Sequence, residues 1–143
     1  MSEGALVGVV LVGHGESASA LLSAARGVLG ADALPAVRPV DAGSGRDEGF
    51  DARVRSEISK VDGGRGVLLI VDLFGSSPCQ GCLDQGGPSC PVVLSGLNLA
   101  MLLKLAHLDR AELSPQDLGE ACAHSGAKAV TLAPAASREE SPS

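Results

Sequence analysis

The sequence predicts an α/β domain built on an open, mostly parallel four-stranded sheet with helices on both faces. Strand-like and helix-like segments alternate along the chain, which is typical of parallel strands joined by helices. Two of the strand-like segments are apolar throughout, as expected of strands buried on both faces. The 143 residues, 45% of them hydrophobic, are enough for one domain with its own core. We expect the flavodoxin-like strand order 2-1-3-4.

The strands are predicted from short apolar runs that end in turn residues. In chain order they are Leu6–Val12, Val37–Val40, Gly66–Asp72 and Pro91–Ser95. A short fifth strand, antiparallel and at an edge of the sheet, is predicted over Ala129–Leu132. The domain then spans residues 1–132, and the Ala-, Pro-, Ser- and Glu-rich residues 133–143 are predicted to be a disordered tail.

The helices are predicted where apolar residues recur at helical spacing after a capping residue. For three of them the sequence predicts both the first and the last residue: Ser17–Leu29, Asp47–Val61 and Pro115–His124. Two more are predicted to begin at Ser77-Pro78 and after Asn98, because Ser and Asn are good N-caps and Pro suits the first helical position.

Composition and charge exclude several classes of partner. The only aromatic residues are Phe50 and Phe74, so recognition of nucleic acid by base stacking is disfavoured. The net charge of −6 also opposes binding to a polyanion. We expect no nucleic-acid partner.

The sequence predicts a cytoplasmic protein that does not insert into a membrane. The N-terminus has no basic region of the kind found in signal peptides, and Glu3 and Gly4 interrupt it. No apolar stretch approaches the ~20 residues needed to cross a bilayer. The four cysteines are then expected to be thiols.

His14 is the first candidate for a chemical role. It lies between Gly13 and Gly15, directly after the first strand and before the first helix. In an open α/β sheet, ligands bind at this carboxyl edge of the strands. The flanking glycines allow a sharp turn and leave the ring uncovered. We therefore predict that His14 is a functional residue.

Asp72 is predicted to lie beside it, at the end of the third strand. In the order 2-1-3-4, the first and third strands are neighbours and their carboxyl ends form the switch point of the sheet. Asp72 can then accept a hydrogen bond from one ring nitrogen of His14. The other nitrogen would be free to act as a nucleophile.

An anion-binding turn is predicted close to the same edge. Gly75, Ser76 and Ser77 stand at a helix start, where backbone N–H groups, hydroxyls and the helix dipole favour an anion. The amide of Asn98, after the fourth strand, could face the same crevice. A nucleophilic imidazole, an orienting carboxylate and an anion site together suit a phosphoryl group carried on histidine.

Three motifs in this chain resemble those of a known family. They are Val9–Gly15, Val71–Pro78 and Ser95–Met101. In order and spacing they look like the mannose-type enzyme IIA domain of the bacterial phosphoenolpyruvate:sugar phosphotransferase system. The resemblance extends over roughly Leu6 to Leu132.

This resemblance implies a phosphoryl carrier without a cofactor. His14 would be phosphorylated by the histidine phosphocarrier protein, with Asp72 as its carboxylate partner. The phosphoryl group would pass to a IIB component or serve a regulatory target protein. A homodimer is also implied, in some members with exchanged C-terminal strands.

The resemblance also suggests roles for residues around His14. Gly15 is assigned to phosphate binding together with the predicted anion-binding turn. Phe74 is either a packing residue or an aromatic flap beside His14, and the resemblance favours the flap; Asn98 is assigned to partner docking or to the same flap. The chain departs from the family where Cys79-Gln80-Gly81-Cys82 is followed by a glycine-broken stretch, which predicts an altered docking surface and leaves open whether the role is transport or regulation.

Two other functions remain as alternatives. Small cobalt or nickel chelatases of tetrapyrrole synthesis also begin with a strand and Val-Gly-His-Gly, but they need a further metal ligand, and neither His107 nor His124 looks placed to supply one. A zinc or redox module could use Cys79, Cys82 and Cys90, with Cys122 or His124 as a fourth zinc ligand.

Overall fold

The fold is an open parallel sheet with helices on both faces, as the sequence predicts. The computed structural model describes residues 5–43, 49–73 and 91–135. Its strands are β1 (Gly8–Gly13), β2 (Val37–Asp41), β3 (Val67–Val71) and β4 (Val92–Ser95). All three pairings are parallel and the order is β2-β1-β3-β4, which confirms the flavodoxin-like arrangement.

The described helices are α1 (Ser17–Leu29), α2 (Phe50–Val61), α3 (Leu99–Leu105) and α4 (Pro115–Lys128). Side-chain caps begin two of these helices, and one of them, Asn98, is predicted from the sequence. The side chains of Asn98 and Ser114 accept hydrogen bonds from backbone N–H groups in the first turns of α3 and α4.

Each face of the sheet carries its own apolar core. Along β1, Val9 and Leu11 pack into the core shared with α1, α3 and α4, whereas Val10 and Val12 pack into the core shared with α2. Every residue of β1 and β3 is buried. These two central strands are continuous apolar runs because both of their faces are covered.

Arg110 holds the amino edge of the sheet together. Only 5% of this residue is exposed, and its guanidinium donates hydrogen bonds to the carbonyl oxygens of Val7, Pro35 and Ala36 at 2.6 to 3.1 Å. Leu34 and Ala36 have φ angles of 59° and 57°, a left-handed backbone that non-glycine residues adopt rarely. Burial lowers the pKa of Arg110 to about 10, and Arg110 remains a cation at neutral pH.

The C-terminal end of the described chain corrects two expectations. The last helix continues to Lys128, beyond the predicted end at His124. Residues 129–132 form no strand in the described chain, and Val130 and Leu132 are 82% and 98% exposed. The reason is that a strand needs a neighbour for its backbone groups, and residues 129–132 follow α4 without pairing with any of the four described strands.

Two further predictions fall on undescribed parts of the chain. The helix predicted from Ser77 and the tail from residue 136 onward lie outside the described residues. Among the helices that are described, none is long and apolar enough to cross a membrane.

Candidate functional site

The candidate site lies at the carboxyl ends of β1 and β3, the two central strands. Val12 of β1 is in register with Val71 of β3, and the N–H of Asp72 continues this pairing by donating to the carbonyl of Val12 at 3.1 Å. His14 and Asp72 therefore leave the sheet side by side, although 58 positions separate them in the chain.

One carboxylate oxygen of Asp72 binds His14 twice. Asp72 Oδ2 accepts the backbone N–H of His14 at 2.9 Å and lies 3.0 Å from the ring nitrogen Nδ1. The other oxygen, Oδ1, accepts the backbone N–H of Leu73 at 2.8 Å. Both the backbone position and the ring orientation of His14 are thus set by Asp72.

The surroundings of Asp72 favour its ionised form. Burial is the largest single influence on its pKa and acts to raise it, but the hydrogen bonds and charge of His14 and the N–H of Leu73 together outweigh burial and lower the pKa. An ionised carboxylate only accepts hydrogen bonds, so we assign the shared proton to Nδ1 of His14. The lone pair of the neutral ring then resides on Nε2.

The ring of His14 is accessible to a partner. Its side chain is 54% exposed, against 25% for Asp72, and among the described residues no hydrogen bond engages Nε2. Leu73, at the same edge, is 63% exposed. A nucleophilic nitrogen with a fixed direction and an open approach is the arrangement that group transfer requires.

The first turn of α1 supports the backbone of His14. The carbonyl oxygen of His14 accepts hydrogen bonds from Ser17, from Oγ at 2.7 Å and from the backbone N–H at 3.1 Å. A Cβ atom at position 13 would clash with Ser17 Oγ, so a side chain there would displace this hydroxyl from the carbonyl of His14.

A backbone clip ties the His14 turn to the segment after β2. The N–H of Gly15 donates to the carbonyl of Gly43 at 2.7 Å, and the N–H of Gly43 donates back at 3.2 Å. Gly15 has a φ of 59°, the left-handed conformation that glycine adopts easily. Because its N–H is already bonded to Gly43, the phosphate-binding role predicted for Gly15 receives no support from this arrangement.

Asp41 is a residue near this site that the sequence analysis missed. At the end of β2, its carboxylate accepts the backbone N–H of Ser19 at 3.0 Å and the hydroxyl of Ser19 at 2.5 Å. It also follows a predicted strand and therefore lies on the same edge as His14 and Asp72. That shared position after a strand was the signal that could have identified it.

Asn98 lies beside the junction of α3 and α4, with both ends of its amide engaged. Its Oδ1 accepts the N–H of Met101 at 3.0 Å, and its Nδ2 donates to the carbonyl of Gly126 at 3.2 Å. These bonds give Asn98 a structural role in joining the two helices. Its assignment to partner docking stays a prediction.

The other candidate residues are mostly outside the described chain. This applies to the anion-binding turn, the flap residue and three cysteines, namely Gly75, Ser76, Ser77, Phe74, Cys79, Cys82 and Cys90.

Cys122 is fully buried and its Sγ lies 3.7 Å from the carbonyl of Met101; burial raises the pKa of its thiol to about 11. His107 and His124 are exposed, and residues 5–43, 49–73 and 91–135 contain no group of three or more potential metal ligands.

Fold and geometry together define an open α/β domain with an exposed histidine oriented by a carboxylate at the switch point of its sheet. The sequence profile of one family, EIIA-man, described as PTS system fructose IIA component, matches residues 8–122. The chain therefore belongs to this family of PTS IIA components, which are phosphotransferase-type proteins.

Several solved structures of similar fold are described as PTS IIA proteins. A phosphotransferase system component EIIA from Streptococcus agalactiae aligns with a TM-score of 0.70 at 22% identity, covering 89% of this chain and 97% of its own. A PTS IIA protein associated with the fucose utilization operon of Streptococcus pneumoniae gives 0.72 at 19% identity, with 89% and 93% covered. The mannose/sorbose specific IIA subunit of Enterococcus faecalis gives 0.66 at 23%, with 90% and 96% covered. A comparison with curated protein sequences gives no significant match.

Proposed function

We propose that this protein is a phosphoryl carrier in which Nε2 of His14 accepts the phosphoryl group. One observation carries the proposal: a single oxygen of Asp72 holds both the backbone N–H and Nδ1 of His14, at 2.9 and 3.0 Å. This contact directs the proton to Nδ1 and leaves the nucleophilic lone pair on Nε2. Membership of the IIA family supports the same role.

The donor in this proposal is the phosphohistidine of the histidine phosphocarrier protein. The Nε2 lone pair of His14 attacks the phosphorus, a new N–P bond forms, and the N–P bond of the donor breaks with its electron pair returning to the donor ring. The proton on Nδ1 stays in place. The ring of His14 thereby becomes cationic.

Asp72 has two tasks in this step. Its negative charge, 3.0 Å from Nδ1, stabilises the positive charge that develops on the ring during transfer. Because the same contact exists before the reaction, little reorganisation is needed when the charge appears. The phosphorylated ring, still protonated on Nδ1, is also a good leaving group for onward transfer.

The onward acceptor is a IIB component or a regulatory target protein. Both of these partners are cytoplasmic proteins, and we propose that this carrier is cytoplasmic as well. We further propose that the protein is a homodimer, because two apolar residues after α4, Val130 and Leu132, are highly exposed and the segment that contains them pairs with no strand among the described residues.

A phosphorylation assay tests the proposed acceptor. Mixed with phosphoenolpyruvate, enzyme I and the phosphocarrier protein, the purified chain is expected to gain one acid-labile, base-stable phosphate. The variant His14→Ala should not be labelled. The exposed histidines His107 and His124 offer matched controls, and their alanine variants should be labelled like the wild type. Labelling that persists in His14→Ala would refute the assignment.

A further inference from the structure

We propose that Asp41 is a positioning residue for His14 and acts through the first turn of α1. The proposal rests on the proposed function, because it concerns the same histidine. Asp41 is bonded to Ser19 rather than to the reacting ring. Its effect on transfer would therefore be indirect.

The carboxylate of Asp41 replaces the cap that α1 lacks. Glu16, the N-cap residue of α1, makes no side-chain capping bond. Asp41 reaches across from the end of β2 and accepts both the N–H and the hydroxyl of Ser19, at 3.0 and 2.5 Å. A carboxylate at this position satisfies an otherwise unpaired N–H and interacts favourably with the helix dipole.

The capped turn is the same turn that supports His14. Ser17, two residues before Ser19, donates two hydrogen bonds to the carbonyl of His14. Its Oγ also fills the space next to Gly13 that a side chain would occupy. If the first turn of α1 loosens, the carbonyl of His14 loses its support.

Asp41 also lies at the end of β2, where this strand and the residues after it bond to the backbone on either side of His14. Asp41 pairs with Gly13 in the sheet register, and the next two residues bond to the turn through Ala42 N–H to Gly13 O at 2.9 Å and the clip between Gly15 and Gly43. The carboxylate therefore joins the two elements, α1 and β2, that hold the backbone of His14 from opposite sides.

Loss of this support should alter the contact between His14 and Asp72. The bond from Nδ1 to Oδ2 requires a particular placement of the imidazole ring, and a shift of its backbone changes both the distance and the angle. We expect Asp41→Ala to lower the share of His14 protonated on Nδ1. Because a displacement of about 1 Å at a reacting group can slow a reaction by about 100-fold, we expect a roughly 10- to 100-fold slower phosphorylation.

The test combines two measurements on the full-length chain. The ¹⁵N chemical shifts of the His14 ring report the position of its proton without any phosphoryl donor. Single-turnover phosphorylation by the phosphocarrier protein gives the rate. Asp41→Ala should move the ring shifts and slow transfer, and Asp41→Asn should recover part of both, since its amide oxygen can still accept the N–H of Ser19.

Asp62→Ala is the matched control. It removes an equally charged carboxylate that accepts a backbone N–H, that of Gly64 at 2.9 Å, near the opposite edge of the sheet. This variant should keep both the wild-type ring shifts and the wild-type rate. A general effect of losing one negative charge would appear in both variants and would count against the proposal.

The outcomes separate this proposal from the proposed function. Unchanged ring shifts in Asp41→Ala would overturn it, whatever happens to the rate. If Asp41→Ala does not fold, Asp41→Asn takes its place: it removes the negative charge at the start of α1 but keeps an acceptor for the N–H of Ser19, so intermediate ring shifts are expected and wild-type shifts would overturn the proposal. If the wild-type chain accepts no phosphate, the proposed function fails while the ring shifts still decide the role of Asp41.

Discussion

At the scale of single residues, the contact between His14 and Asp72 determines which ring nitrogen can react. A carboxylate that holds both a backbone N–H and a ring N–H leaves the imidazole little freedom to turn. Asp72 is one-quarter exposed, so the contact is accessible to water yet retained by its two bonds to His14. Its charge and geometry can be tested separately.

Asp72→Asn removes the charge and keeps the shape of the side chain. We expect the fold to survive and phosphorylation of His14 to slow by roughly 10²–10⁴-fold, the range typical of acid–base and orienting groups. Asparagine can also turn its NH₂ group toward Nδ1 and so favour the wrong tautomer. Rapid-quench kinetics would measure the effect.

Asp109→Asn is the control for this substitution, because Asp109 accepts a local backbone N–H from Ala111 in an exposed turn. It should transfer phosphate at the wild-type rate. A wild-type rate for Asp72→Asn would instead show that Asp72 only shapes its turn.

The lowered pKa of Asp72 also predicts how its contribution to stability depends on pH. A carboxyl group whose pKa is lower in the folded state binds fewer protons there than in the unfolded chain, so its contribution is present above the unfolded pKa. We expect the stability advantage of wild type over Asp72→Asn to be constant near neutrality and to decline as the pH falls below about 4. Urea unfolding of both proteins between pH 7 and pH 3 would show it.

Glu57 is the appropriate comparison, because its pKa is also lowered, mainly by the hydrogen bond from Arg38. Glu57→Gln should lose only the acid-sensitive contribution of Glu57 to the free energy of unfolding. The stability difference made by Asp72→Asn should be the same with or without this substitution. A wild-type advantage over Asp72→Asn that grows on acidification would contradict the expected sign.

At the scale of helices and strands, Arg110 connects the starts of β1 and β2 at the edge opposite His14. Replacing it with methionine leaves the carbonyls of Val7, Pro35 and Ala36 without their guanidinium donors. We expect Arg110→Met to lower the free energy of unfolding by about 1–3 kcal/mol, because the carbonyl of the buried residue Val7 loses both of its guanidinium bonds, whereas Pro35 and Ala36 are exposed. The urea midpoint would report this loss.

Arg55→Met provides the comparison, since Arg55 is exposed on α2. Its midpoint should stay close to that of the wild type. A wild-type midpoint for Arg110→Met would contradict this prediction, because it would mean that water satisfies these carbonyls as well as the guanidinium does.

Elements with strong local signals were predicted most accurately. The bounds of α1 agree with the structure because apolar spacing acts within a few positions, and the starts of α3 and α4 agree because their capping residues do as well. The juxtaposition of His14 and Asp72 was predictable because parallel strands end at a common edge. The cap that Asp41 supplies to α1 and the carbonyls bound by Arg110 were not, since each joins residues from different elements and leaves no periodic pattern.

At the scale of the whole molecule, the segment after α4 predicts self-association. A second copy can cover Val130 and Leu132 and give residues 129–132 a strand to pair with, which the described part of their own chain does not. We expect the full chain to sediment as a dimer at micromolar concentration. A chain that ends at Lys128, where α4 ends, should be monomeric.

The two sedimentation measurements distinguish the dimer from its predicted interface. Monomers in both cases would refute the dimer altogether. The same dimer in both cases would place the interface elsewhere and refute only a role for the last segment.

The pairing of β1 with β3 also determines at what stage of synthesis and folding His14 acquires its carboxylate partner, Asp72. His14 is made early in translation, but its ring has no Asp72 until the chain is 58 residues longer and β3 has docked beside β1. A nascent or partly unfolded chain therefore carries an ordinary surface imidazole. On the proposed mechanism, a molecule therefore accepts the phosphoryl group at its full rate only after its two central strands have assembled.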